Sequence, residues 1–192
     1  MRIFVFLLVS FPTFASALEF CDDYWLSRNM IFDRAGLCFS SALGRATFNN
    51  DDCLGGDVTL TTDEQVFVDA IEQFEEEFAC NVDTTRTRLA VEDLDIRLRL
   101  TRFPLRDPTE SACIGWQGGR VLLFEGFDEN GRVTGSIMRG DNILSSHFEG
   151  RDLRGRVWNY YTVRREIPGP EVIVAAGWTF QEVFNPCDMI AG

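Results

Sequence analysis

The sequence predicts an α+β protein: a small disulfide-bonded helical region first, then a strand-rich region that could close as a small SH3-like β-barrel. Three observations predict it. Apolar residues recur every three to four positions up to Cys80 and switch to alternation after Asn81, while turn dipeptides punctuate the second half. The expected division is 1–17 as a signal peptide, 18–83 as the helical region and 84–192 as the β-rich region.

The N-terminus reads as a secretory leader. Arg2 is the only charge before Glu19, residues 3–9 are apolar, and Ala15-Ser16-Ala17 offers a small-x-small cleavage site after Ala17. The run is shorter than the roughly 20 apolar residues a spanning helix needs, so cleavage is favoured over a retained anchor. The expected location is secreted or periplasmic, with no transmembrane segment after cleavage. Asp22 or Asp23 can cap a first helix running to Ala35 and burying Trp25, Ile31 and Ala35, with Gly36 as its left-handed stop. Ser40 or Ser41 opens a short second helix through Phe48, and residues 49–52 read as a turn. Thr62 with Gln65 makes a capping box for a third helix, whose stripe is Phe67, Ala70, Ile71, Phe74 and Phe78. Beyond it, Leu94, Ile96, Leu98 and Leu100 alternate with charged residues as a strand would. Further strands are expected over 112–117, 120–125, 132–138, 157–164 and 171–180, with Asn130-Gly131 as a hairpin turn.

The formal net charge is −12, and all 18 basic residues are arginine. That balance disfavours nucleic acid and anionic membrane surfaces as partners, and the absence of lysine excludes Schiff-base and P-loop chemistry. Six cysteines follow the leader: Cys21, Cys38, Cys53, Cys80, Cys113 and Cys187. An even number in an exported chain implies disulfides. They allow about fifteen pairings; the pattern we favour is Cys38–Cys53, Cys21–Cys80 and Cys113–Cys187. With no C-x-x-C pair and one histidine, neither a metal site nor any other cofactor is expected.

The segment from Leu26 to Phe39 resembles the bacterial extracytoplasmic YARHG domain, whose signature helix runs RNEIYARHG before an aromatic residue. Arg28, Asn29, Ile31, Arg34, Gly36 and Phe39 match; Phe32, Asp33 and Ala35 stand where that family has tyrosine, alanine and histidine. With Val82-Asp83-Thr84 and Ser111-Ala112-Cys113-Ile114-Gly115-Trp116, the whole chain is similar to secreted bacterial proteins that join this helical start to an uncharacterised C-terminal region. Pro104 to Pro108, Trp158-Asn159-Tyr160 and Gly177-Trp178 resemble bacterial SH3-like domains, which implies an aromatic groove for cell-wall peptides or glycans.

No catalytic constellation stands out. His147, beside Ser145 and Ser146, is the sole candidate base, and Glu75, Glu76 and Glu77 point in different directions around a helix. Arg28, Asn29, Arg34 and Gly36 are expected to be structural, the arginines bonding loop carbonyls or pairing with Asp22, Asp23 or the 49–52 turn. Trp116, Trp158, Tyr160 and Trp178 are each core candidates, and a binding surface if two or three share an exposed face. The expected function is a non-enzymatic exported module that recognises a cell-envelope component or another exported protein through its β-rich half. The alternative is an exported hydrolase acting on an envelope polymer.

Overall fold

A computed structural model describes residues 15–166 and 171–192; the expected leader lies outside them apart from Ala15 to Ala17. Four helices precede eight strands. Helix α1 spans Ala15–Arg34, α2 Ala42–Thr47, α3 Thr62–Glu77 and α4 Leu94–Arg97. Asp22 and Asp23 do not cap α1. They lie inside it, 1 % and 5 % exposed, because arginines from later in the chain reach them.

Helix α1 is buried nearly all round. Trp25, Leu26 and Met30 pack on Phe39, Leu43, Phe48 and Leu89, while Tyr24 and Ile31 pack on Val68 and Ile71 of α3. Its third side carries Asp22, Asp23 and Ser27 toward residues 86–106. A helix enclosed this way is normally apolar throughout; here each buried polar side chain has a partner instead. Gly36 ends the turn after α1 at φ +92°, where a Cβ would meet Leu54 Cγ at 2.7 Å. Ser41 caps α2, accepting from Gly44 N at 3.1 Å. The capping box of α3 sits one residue earlier than expected, on Thr61 and Glu64, because Gln65 turns instead to Asp69 at 2.7 Å.

The stretch from Leu94 to Leu100 is not a strand. Asp93, Arg97 and Leu100 are the buried residues, a helical i, i+4, i+7 spacing in which Arg97 is drawn in by acidic partners rather than by apolarity. The strands are β1 Arg106–Trp116, β2 Val121–Phe124, β3 Val133–Ile137, β4 Asn142–His147, β5 Gly150–Arg151, β6 Val157–Glu166, β7 Glu171–Thr179 and β8 Cys187–Ala191. Strands β4, β5 and β8 fall outside the stretches expected to be extended. The β2–β3 hairpin does turn at Asp128–Gly131, within a loop longer than two residues.

Among the described residues the eight strands pair antiparallel, in the order β3-β2-β7-β6-β4-β1-β8 with β5 beside β6. Among the described residues the order does not return from β8 to β3, so the expected SH3-like closure is not seen. Both faces are buried. Cys113, Val121, Leu123, Ile137, Ile143, Tyr161 and Val163 meet in one cluster, which requires the sheet to curl. On the other face Phe124, Trp158, Tyr160, Ala176 and Trp178 receive Leu100 and Ile96. Three disulfides form in the favoured pairing, Cys21–Cys80, Cys38–Cys53 and Cys113–Cys187, and no described cysteine is free.

Candidate functional site

The helical and strand-rich halves meet along residues 86–106, and two polar and aromatic features lie there. The first is a buried ion network. Arg97, 2 % exposed, donates to both oxygens of Asp23 at 2.6 and 2.8 Å. Its Nε stands 2.9 Å from Asp93 Oδ1, a charge contact without an aligned N–H. Tyr160 Oη donates to Asp93 Oδ2 at 2.6 Å. Burial alone would raise the Asp23 carboxyl, but the Arg97 guanidinium, bonded to both of its oxygens, outweighs it and holds it well below the usual carboxylate range.

His147 closes this network. Its Nε2 accepts from Arg97 and lies 3.4 Å from Asp23 Oδ2. Burial and then the Arg97 charge push the imidazole below its ordinary value, so the ring is neutral. With Nε2 accepting, the network assigns the proton to Nδ1, which donates to Ser146 Oγ at 3.2 Å. A serine nucleophile would need the reverse, with histidine accepting from the hydroxyl. The adjoining space is only about 60 Å³. Glu75 is held by Arg28 at 3.0 Å, and Glu76 and Glu77 are exposed.

The second feature is a cleft of about 600 Å³ between α1, α3 and the sheet. Phe67 of α3, Phe103 and Leu105 of the connecting segment, and Phe127, Phe148 and Trp178 from the strand-rich half line it. Arg34 lies across one wall, its guanidinium 4.0 Å from the centre of the Phe103 ring, donating to Leu100 O and to Thr101 O at 3.3 Å. Trp178 Nε1 fixes the same segment through Arg102 O at 2.9 Å. Gly150 leaves room for Phe127, since a Cβ there would fall 2.0 Å from the ring's Cζ. The volume and the aromatic lining are those of a small-ligand site.

The condition for an aromatic binding surface, an exposed face shared by two or three of the candidate residues, is not met. Trp116, Trp158, Tyr160 and Trp178 are all buried, at 4 %, 0 %, 0 % and 2 % exposure, and share no exposed face. Only Trp178 contributes to the cleft. The YARHG-like residues make contacts within the fold: Asn29 Nδ2 donates to Trp25 O at 2.7 Å, Arg34 bonds loop carbonyls, and Arg28 pairs with Glu75 rather than with the acidic residues expected. Phe103, Phe127 and Phe148 escape the sequence reading. Each sits in a connection between elements, so no periodicity marks it; large aromatics in turn-rich segments are the available signal. No group of metal-ligating side chains occurs among the described residues.

Neither curated proteins nor solved structures give a match to the chain. Two family models do match it: the YARHG domain over residues 9–76 and a domain of unknown function, DUF4453, over residues 79–192. With its helical half matched by the one and its sheet spanned wholly by the other, the chain belongs to the DUF4453 family and carries a YARHG domain ahead of it.

Proposed function

We propose that the protein is an exported, non-enzymatic binding module whose ligand site is the aromatic cleft between its two halves. The observation that carries this reading is the cleft itself: about 600 Å³ lined by Phe67, Phe103, Phe127, Phe148 and Trp178, drawn from both halves. A cleft assembled from distant segments places its lining precisely only when both halves are docked, as the buried network ensures. Export is supported by the leader-like first 17 residues and three disulfides. Cleavage after Ala17 and a secreted or periplasmic location follow from the same reading. Among the described residues no helix is long and apolar enough to cross a membrane. The ligand belongs to the cell envelope or to another exported molecule. The hydrolase alternative gains nothing from His147, which is buried, neutral and already bonded on both nitrogens.

The test is retention of envelope components on the immobilised, disulfide-intact chain, compared with Phe148→Asp. Phe148 is 36 % exposed at the cleft, so the substitution places a charge there without opening the core. Retention by the parent that Phe148→Asp abolishes and His147→Gln preserves supports the reading. Retention that ignores Phe148→Asp, or none at all, overturns it.

A further inference from the structure

The chemistry left free in the cleft narrows what can occupy it. Along residues 100–102 its main-chain groups are already used. Thr101 N and Arg102 N both donate to Glu125 O, at 2.7 and 3.3 Å, and Phe148 N donates to Leu105 O at 2.9 Å. The carbonyls of Leu100, Thr101 and Arg102 accept from Arg34 and Trp178. An extended peptide would therefore find no backbone ladder to join along that segment. A sugar would find few convergent donors and acceptors for its hydroxyls. What remains is aromatic and aliphatic surface, the carboxylates of Asp63, Glu64 and Glu149, and one guanidinium that bonds no main-chain group.

That guanidinium is Arg102. It lies over the Phe127 ring, 5.6 Å from its centre, and enters no ion pair among the described residues. A second cavity of about 360 Å³ shares Thr101, Arg102 and Phe127 with the cleft and continues to Arg151 and Leu153. Arg102 thus stands at the mouth where the two spaces join. The carboxylates facing the cleft lie elsewhere: Asp63 and Glu64 are in the first turn of α3, and Glu149 is neutralised by Arg151 at 2.6 Å. Arg102 and the α3 carboxylates therefore stand on different elements of the lining, so a ligand with one anionic end is favoured with that end at Arg102.

Resting on the cleft as the ligand site, we propose that it binds a single-chain anionic amphiphile. An acyl or alkyl tail lies among Phe67, Phe103, Phe148 and Leu105, and a carboxylate or phosphate head meets Arg102 at the mouth. Burial of the tail supplies affinity in proportion to its apolar area. The charge-assisted contact at Arg102 supplies the preference for an anion. The outer cavity leaves space for a larger head group.

The experiment is calorimetric titration of the full disulfide-intact chain with dodecanoate, dodecyl phosphate and dodecanol, each below its micelle-forming concentration. The expected result is saturable one-to-one binding, with an anion favoured over dodecanol by about tenfold, as one charge-assisted contact allows. Whichever anion binds tighter assigns the head group. Arg102→Gln changes an exposed side chain and keeps the backbone bond to Trp178; it should bring the three ligands to similar affinity. Phe103→Ala should weaken all three. Absence of saturable binding, equal affinity for dodecanol, or an anion preference that survives Arg102→Gln overturns the assignment. If envelope components are still lost on Phe148→Asp while no amphiphile binds, the amphiphile assignment fails and the cleft reading stands.

Discussion

Replacing Arg97 by methionine should be among the most damaging single changes available in this protein. The guanidinium is 2 % exposed and holds two buried carboxylates, Asp23 and Asp93, that are 5 % and 6 % exposed. Methionine keeps much of the volume but leaves both acids buried without their counter-charge. Breaking a buried pair by removing one partner costs about 3–5 kcal/mol, more than the pair itself contributes over an apolar replacement. For a chain of this size that corresponds to a fall in Tm of about 10 °C. Urea unfolding followed by tryptophan fluorescence reads it directly, since Trp158 and Trp178 lie on the sheet face that packs against residues 96–100. The companion variant Asp23→Leu, Asp93→Asn, Arg97→Met removes the charges together and should recover at least half of the loss. A cost below about 1 kcal/mol for Arg97→Met would refute the reasoning, because that is the range of exposed pairs.

Stability should fall on acidification in two stages. His147 is held below its ordinary 6.5, so it binds fewer protons folded than unfolded; its contribution is complete above that value and is lost as pH drops below it. Asp23, held below 3.8, adds a second loss as pH falls beneath that value. His147→Gln should flatten the upper stage in urea melts between pH 7 and 5 and leave the lower one. Reducing only Cys113–Cys187, or replacing both by alanine, opens a loop with a sequence separation of 74 and should cost about 4.5 kcal/mol by chain entropy, measured as a lower urea midpoint with a steeper slope as the unfolded chain expands. Gly36→Ala forces a side chain into φ +92° and against Leu54, and should cost about 1–2 kcal/mol in the same assay.

The class of fold is legible in the sequence because it rests on local signals. Cap residues such as Ser41, the left-handed Gly36 and the β-branched and aromatic runs of β6 and β7 each act over a few positions. The errors arise where a distant partner decides. Asp22 and Asp23 look like caps, and only Arg86 and Arg97, 64 and 74 residues away, make them interior residues. The same partnership turns the alternation of Leu94 to Leu100 into a helical turn around Arg97. Strands β4 and β8 carry serine, asparagine and aspartate, so apolar alternation does not mark them. The cleft is illegible for a further reason. Phe103, Phe127 and Phe148 come from separate connections, and their convergence with Phe67 is a property of how α1, α3 and the sheet dock.

Helix α1 makes bonds that do not respect the division suggested by the family models. Asp22 meets Arg86 and the Ala90 amide, Ser27 the Pro104 carbonyl, and Tyr24 the Arg106 carbonyl. All of these partners lie beyond residue 76, where the YARHG match ends. A chain grows from its N-terminus, so the helix appears first and must wait, its acids unmatched, until the segment to Arg106 has followed. The stretch matched by the family model and the stretch that completes the burial of α1 are then different lengths. A fragment cut between residues 76 and 79 would inherit a family signature without the means to bury its own first helix.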